Sequence, residues 1–213
     1  MNALLYFSLC LKSPDESVIM EKYNLIVSAE EQFAREVTLG AIVARPPSAW
    51  FYLIPGMFII DFLRRGSAIR KYTRHFLFPR KLAVDAARAI IQGEDEASVR
   101  SHVEKDTGAW LSALNLYSDE LLKAHLAFID VLIEHYSALL KAEGDSYYLL
   151  VGAAYQNREN FQSFLEKITA AENEVDRQVI ERLGDNERIK DKILIEQQQI
   201  AKRRNKILEE VFS

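Results

Sequence analysis

The chain has very little of what covalent cross-links and cysteine-based metal sites require. Only one of its 213 residues is a cysteine, Cys10. An intrachain disulfide and a zinc site built on several cysteines are therefore both excluded. A single free thiol suits a reducing compartment, and the apolar start of the chain lacks the positive charges of a secretory signal. We therefore expect a cytoplasmic protein, including one held at the cytoplasmic face of a membrane.

Turn-forming residues are also scarce, with eight glycines and five prolines. Good helix formers are common, and no segment shows the alternating pattern of a strand. The apolar fraction of 49% is ordinary for a folded protein. The sequence therefore predicts an all-α protein.

Capping signals and apolar periodicity divide the chain into helices. Helix starts are predicted at Ser13-Pro14, at Ser28 and at Ser118, with breaks at Pro79 and near Thr107-Gly108. Two long periodic segments flank Gly184 and should form an antiparallel pair. We expect an irregular helical bundle with a long C-terminal antiparallel helical hairpin. The N-terminal part covers 1–144 and the hairpin 145–213, either as two units or as one continuous domain.

Catalytic signatures are missing. No glutamate is followed by a histidine three residues later, and the phosphate-binding, dinucleotide-binding, zinc-protease and nucleophile-elbow motifs are all absent. His125 and His135 are predicted to lie at the edges of the apolar stripe on the helix that starts at Ser118. We assign no catalytic residue, metal ligand or cofactor, and we favour a non-catalytic protein. An enzyme with a site assembled from scattered residues remains an alternative.

The segment from Trp50 to Lys81 is the most informative part of the chain. An apolar run, 49–63, is interrupted by Pro55-Gly56, and no acidic residue occurs between Asp61 and Asp85. Each arm of the run spans about 10 Å as a helix, which is too short to cross a membrane but long enough to enter one leaflet. The predicted membrane-contact residues are Trp50, Phe51, Tyr52, Phe58 and Ile59. The predicted contacts with an anionic surface are Arg64, Arg65, Arg70, Lys71, Arg74, Arg80 and Lys81.

Three functions compete for this segment. It fits peripheral attachment to an anionic lipid surface on the cytoplasmic side, by a protein that serves as a scaffold or adaptor. It also fits a soluble interaction protein in which 49–63 is buried core. Nucleic-acid binding is the weakest of the three, because a chain with a net charge of −4 repels phosphates over most of its surface.

The last helix carries isoleucines seven residues apart, at Ile193, Ile200 and Ile207. This spacing is typical of a coiled-coil seam and predicts a partner helix, supplied by self-association or by the N-terminal half of the same chain. A cationic cluster at 202–206 indicates either anion docking or a favourable placement of positive charge toward a helix C-terminus.

Overall fold

The computed structural model describes residues 14–43, 57–184 and 187–213. Within these ranges the chain is entirely helical outside short connections, which confirms the predicted fold class. The helices are α1 (Pro14–Val43), α2 (Met57–Ile91), α3 (Glu96–Ala113), α4 (Asp119–Lys141), α5 (Tyr147–Tyr155), α6 (Arg158–Leu183) and α7 (Glu187–Phe212).

Helix α1 begins at Pro14, as predicted, but it runs through Ser28 without a second start. Ile26, Phe33 and Val37 are all buried, so one apolar stripe passes across the predicted start. The residues i and i+7 of such a stripe lie on the same face. Continuous packing along this face keeps the helix intact where local capping signals favoured a boundary.

The prediction that Pro79 ends a helix is wrong, because Pro79 lies inside α2. A proline in a helix removes one backbone hydrogen bond and costs about 3 kcal/mol or more. Phe76 packs against the core before the proline, and Ala83 and Val84 are fully buried after it. Burial on both sides offsets the loss. The helix then ends before Gly93, whose φ of 91° suits glycine.

The predicted break at Thr107-Gly108 is also absent, since α3 is continuous. The buried face of α3 repeats every fourth residue through Val103, Thr107 and Leu111. Glycine inside a helix costs about 1 kcal/mol relative to alanine. The packing of the neighbouring buried residues outweighs this cost.

Helix α4 is the central helix and packs against α1, α2, α3, α5 and α6. Its start is the predicted one, because the Ser118 Oγ accepts a hydrogen bond of 3.1 Å from the Leu121 backbone N–H. The helix is surrounded by neighbours, so much more than one stripe is buried, and Ile129, Tyr136 and Leu139 are fully buried. His125 and His135 are buried with them, which corrects their predicted place at the edge.

Helices α6 and α7 form the predicted C-terminal hairpin, with Gly184 after the last turn of α6. Helix α6 packs against α4, and α7 packs against α1. In the described part of the chain, α3 packs against α2 and α4 but makes no close backbone approach to α6 or α7. A space is therefore left between α3 and the hairpin.

Candidate functional site

The space between α3 and the α6–α7 hairpin is a cleft with a volume of about 590 Å³. Helix α2 and the buried centre of α4 contribute to its lining, and most of the lining is apolar. Clefts of this size with a few convergent polar groups are typical ligand sites. This cleft is the candidate functional site.

One part of the cleft is lined by a buried ion network that joins four helices. Arg80 on α2 is 4% exposed and pairs with Glu30 of α1 at 3.2 Å and with Glu172 of α6 at 2.9 Å. Arg204 on α7 donates two hydrogen bonds, of 2.7 and 2.9 Å, to the carboxylate of the same Glu172. Two arginines and two glutamates thus neutralise each other away from water, as buried charges require.

Aromatic rings surround the guanidinium of Arg80. Its Cζ atom lies 4.2 Å from the ring centre of Phe76, 5.3 Å from that of Phe33 and 5.5 Å from that of Phe128. These distances suit cation–π attraction, which strengthens where water is excluded. Arg80 is therefore held both by carboxylates and by ring faces.

The two glutamates of the network respond differently to burial. Burial alone would raise the pKa of Glu172, but Arg204 and Arg80 lower it below the ordinary value, so this carboxylate is ionised. Burial raises the pKa of Glu30, and Arg80 only partly opposes that shift. Arg80 is the largest of the influences that lower the Glu30 pKa, ahead of Tyr136 and Arg204.

A second pair of carboxyl groups, Asp176 and Glu196, lines the cleft without a basic partner in the described ranges. Asp176 accepts a hydrogen bond of 2.9 Å from the Gln197 amide, and Glu196 accepts one from the Tyr72 hydroxyl. Burial raises the pKa of Asp176 to about 6, and it raises that of Glu196 as well. These carboxylates are desolvated and not neutralised.

The wall opposite the hairpin is aromatic. Trp110 of α3 stacks on Phe78, with ring centres 4.8 Å apart, and meets the edge of His125 at 5.2 Å. Burial lowers the pKa of His125 to about 4, so its imidazole is neutral at physiological pH. The Nδ1 atom of His125 and the Nε1 atom of Trp110 are buried and have no hydrogen-bond partner among the described residues.

The other buried histidine, His135, lies outside this cleft and is paired at one ring nitrogen. The Nδ1 atom of His135 lies 2.7 Å from the Tyr155 hydroxyl, and its ring stacks on Phe164 with centres 4.2 Å apart. Burial lowers the pKa of His135 to about 3. His135 is a buried core residue whose Nδ1 atom is hydrogen-bonded.

The predicted basic surface divides into two groups on α2. Arg70, Lys71, Arg74 and Lys81 are exposed, and none has a carboxylate partner in the part of the chain that the structure describes. Arg80 is buried in the ion network, so its predicted role as a surface contact is wrong. One signal of this burial was visible in the sequence, because Arg80 is four residues from Phe76 and shares its inward face.

The structure describes no side chain of the five predicted membrane-contact residues. Trp50, Phe51 and Tyr52 lie outside the described residues. The backbones of four further residues belong to α2 but their side chains are not described: Phe58, Ile59, Arg64 and Arg65. No helix in the described ranges combines the length and apolar character needed to cross a membrane.

The three isoleucines of the last helix face their own chain. Ile200 and Ile207 are buried, and Ile193 is half-buried and lines the cleft. For Ile200 and Ile207, the seam is filled by the same chain rather than by a separate partner helix. The cationic cluster beside them is explained in the same way: Arg203 pairs with Glu36 at 3.1 Å, and Arg204 with Glu172.

Over the described residues, no group of three or more histidine, cysteine, aspartate or glutamate side chains is arranged to hold a metal ion. Comparisons with protein-family models, curated proteins and solved structures gave no match. We therefore infer function from the geometry of this chain.

Proposed function

We propose that the protein attaches peripherally to the cytoplasmic face of a membrane through the outer face of α2, and that it serves there as a non-catalytic scaffold or adaptor. The observation that carries the proposal is a set of exposed cations without carboxylate partners in the described ranges. These are Arg70, Lys71, Arg74 and Lys81.

The four cations share one side of the helix. At about 100° per residue, Arg70, Arg74 and Lys81 lie within about 40° of each other, and Lys71 is about 100° from Arg70. Their mutual repulsion is not relieved by neighbouring acids, so an anionic surface that meets this face gains attraction at several points. Lys71 and Arg74, together with burial as the larger cause, lower the pKa of the nearby His75.

The aromatic residues in the described part of α2 pack against other helices of the chain, and Phe78 does so by stacking on Trp110 of α3. Tyr72 reaches Glu196 on α7, and Phe76 stacks near Phe33 with ring centres 5.9 Å apart. The described part of α2 therefore contributes charge to membrane binding and no aromatic insertion. Insertion is assigned to Trp50, Phe51, Tyr52, Phe58 and Ile59, as an independent contribution from the preceding segment.

Self-association through the last helix is not part of the proposal. Two of its three isoleucines, Ile200 and Ile207, are buried in the core and offer no apolar surface to another chain.

Co-sedimentation with vesicles tests the proposal. The intact protein should pellet with phosphatidylserine-containing vesicles, and the electrostatic part of that binding should weaken in high salt. Replacing the four outer cations of α2 by glutamine should remove most of the preference for anionic over neutral vesicles. Replacing Phe58 and Ile59 by serine should reduce binding to both kinds of vesicle.

A matched control variant distinguishes the effect of the α2 face on binding from the effect of the protein's net charge. Glutamine replacements at Lys105, Lys123, Lys141 and Lys202 remove four exposed positive charges elsewhere. This control should keep the preference for anionic vesicles. A wild-type protein that stays in the supernatant with both lipids contradicts the proposal, and so does an equal loss in both glutamine variants.

A further inference from the structure

The cleft has an unbalanced charge that the ion network does not explain. The network is neutral by itself, because Arg80 and Arg204 are matched by Glu30 and Glu172. Asp176 and Glu196 are additional carboxylates, and their hydrogen-bond partners are a neutral amide and a neutral hydroxyl. When Asp176 and Glu196 are ionised, they give the cleft a negative charge that has no ion-pair partner among the described residues.

The same cleft contains polar atoms that lack a partner. His125 is only 7% exposed and lines the cleft, yet neither of its ring nitrogens forms a hydrogen bond within the described residues. The buried Nε1 atom of Trp110 in the same wall is also unpaired. Buried polar atoms without partners are rare. The His125 Nδ1 and Trp110 Nε1 atoms are already closed off from the open space of the cleft, so the two carboxylates and the apolar lining, rather than these atoms, indicate a ligand.

The remaining lining is apolar and aromatic. Trp110 and Phe128 present ring surfaces, and Val179 and Ile193 supply aliphatic surface from the hairpin near the two carboxylates. Ring faces attract cations, and aliphatic side chains favour a hydrocarbon body. Anionic ligands are disfavoured, because both arginines of the cleft already bind carboxylates.

We propose that this cleft binds an organic ammonium ion with an apolar body, whose charged end meets Asp176 and Glu196 and whose body packs against Trp110. The size of the cleft suits a small organic molecule. A metal ion fits poorly, because the carboxylates are faced by apolar and aromatic groups and no third ligand of the metal-binding kind joins them in the described residues.

This site is independent of the proposed membrane surface. Tyr72 points into the cleft from the inner side of α2, while Arg70, Arg74 and Lys81 lie on the outer side. Either proposal can fail without affecting the other.

Calorimetry on the intact wild-type protein tests the inference with three probes that share the same phenylbutyl group. The probes are 4-phenylbutylammonium, 4-phenylbutanol and 5-phenylpentanoate, which differ in the charge of the end group. At neutral pH the ammonium should bind at least about tenfold more tightly than the alcohol, since a charge-assisted hydrogen bond contributes that much or more. The carboxylate should bind most weakly. No detectable binding of the ammonium, or equal affinity for ammonium and alcohol, overturns the inference.

Substitution then locates the charged end. The double variant Asp176→Asn, Glu196→Gln should lose about tenfold or more in affinity for the ammonium while its affinity for the alcohol stays within about twofold. The double variant Glu159→Gln, Glu166→Gln is the control, because it removes two exposed carboxylates from α6 outside the cleft. If the control loses as much affinity as the cleft variant, the attraction is that of the whole protein and the site is wrong.

Discussion

Replacing Arg80 by methionine should destabilise the protein severely, although methionine fills much of the same volume. The change leaves Glu30 buried without its only ion-pair partner among the described residues, while Glu172 keeps Arg204. Breaking a buried ion pair by removing one partner costs about 3–5 kcal/mol. For a chain of this size, about 2–4 °C of melting temperature is lost per kcal/mol, which gives a decrease of roughly 6–20 °C.

Arg100 provides a matched control for this change. It also bridges two carboxylates, Glu96 and Asp130, and both contacts are 3.2 Å, but its side chain is 53% exposed. Exposed pairs contribute about 0–1 kcal/mol, so Arg100→Met should shift the urea midpoint little. The ion-pair distances of Arg80 and Arg100 are similar and their burial differs, so the comparison tests mainly the effect of burial.

A double-mutant cycle measures the part of the cost that is due to Glu30. Adding Glu30→Gln to Arg80→Met removes the isolated carboxylate and should recover at least about 1 kcal/mol of the free energy of unfolding. Urea unfolding of the four proteins of the cycle, with unchanged denaturant dependence, supplies the numbers. If Arg80→Met costs no more than Arg100→Met, or if Glu30→Gln recovers nothing, the network does not stabilise the fold as argued.

Three further substitutions have definite expected outcomes. The pKa of Asp176 rises from 3.8 to about 6 on folding, so its ionisation penalises the folded state increasingly as pH rises through this window. Asp176→Asn should therefore be more stable than wild type at neutral pH, by up to about 3 kcal/mol, and the advantage should vanish near pH 4, as followed by urea unfolding at both pH values. Gly144→Ala should lower the melting temperature, because a Cβ there would lie 2.9 Å from the Leu149 Cβ and 3.0 Å from the next backbone nitrogen. Ser118→Ala should cost about 1 kcal/mol in the same assay by removing the cap that accepts the Leu121 N–H.

Local signals were sufficient to predict the long elements of the fold. The cap at Ser118 and the apolar periodicity after it define α4, and a single glycine between two periodic segments defines the hairpin. These features depend on residues within one or two helical turns of each other. The sequence alone therefore supports the all-α class and the hairpin.

Helix continuity was mispredicted where packing opposes a local preference. Pro79 and Gly108 favour breaks, yet both lie inside helices whose neighbouring turns are buried in the core. The stabilisation comes from helices that are remote in sequence, so no window around either residue contains it. Helix α1 continues through its predicted second start at Ser28 for the same reason.

The ion network was missed because its members are far apart in sequence. Arg80 lies 50 residues from Glu30 and 92 from Glu172, as their numbers show. One signal was available: Glu30 falls on the buried stripe of α1 between Ile26 and Phe33. A glutamate in such a stripe needs a cation from another helix. The cleft carboxylates gave no comparable signal.

The orientation of Arg80 also limits how strongly α2 can bind a membrane. Five described cations lie between residues 70 and 81, and four of them face outward while Arg80 neutralises acids from α1 and α6. At about 1 kcal/mol for each cation near an anionic surface, the outer face supplies about 4 kcal/mol. That free energy corresponds to a dissociation constant of about 1 mM, which is too weak for stable attachment. If the proposed attachment is stable, most of its free energy must come from the apolar run 49–63, which extends into the start of α2. A protein that binds anionic vesicles tightly and ignores neutral ones would refute this division, because four cations cannot account for tight binding alone.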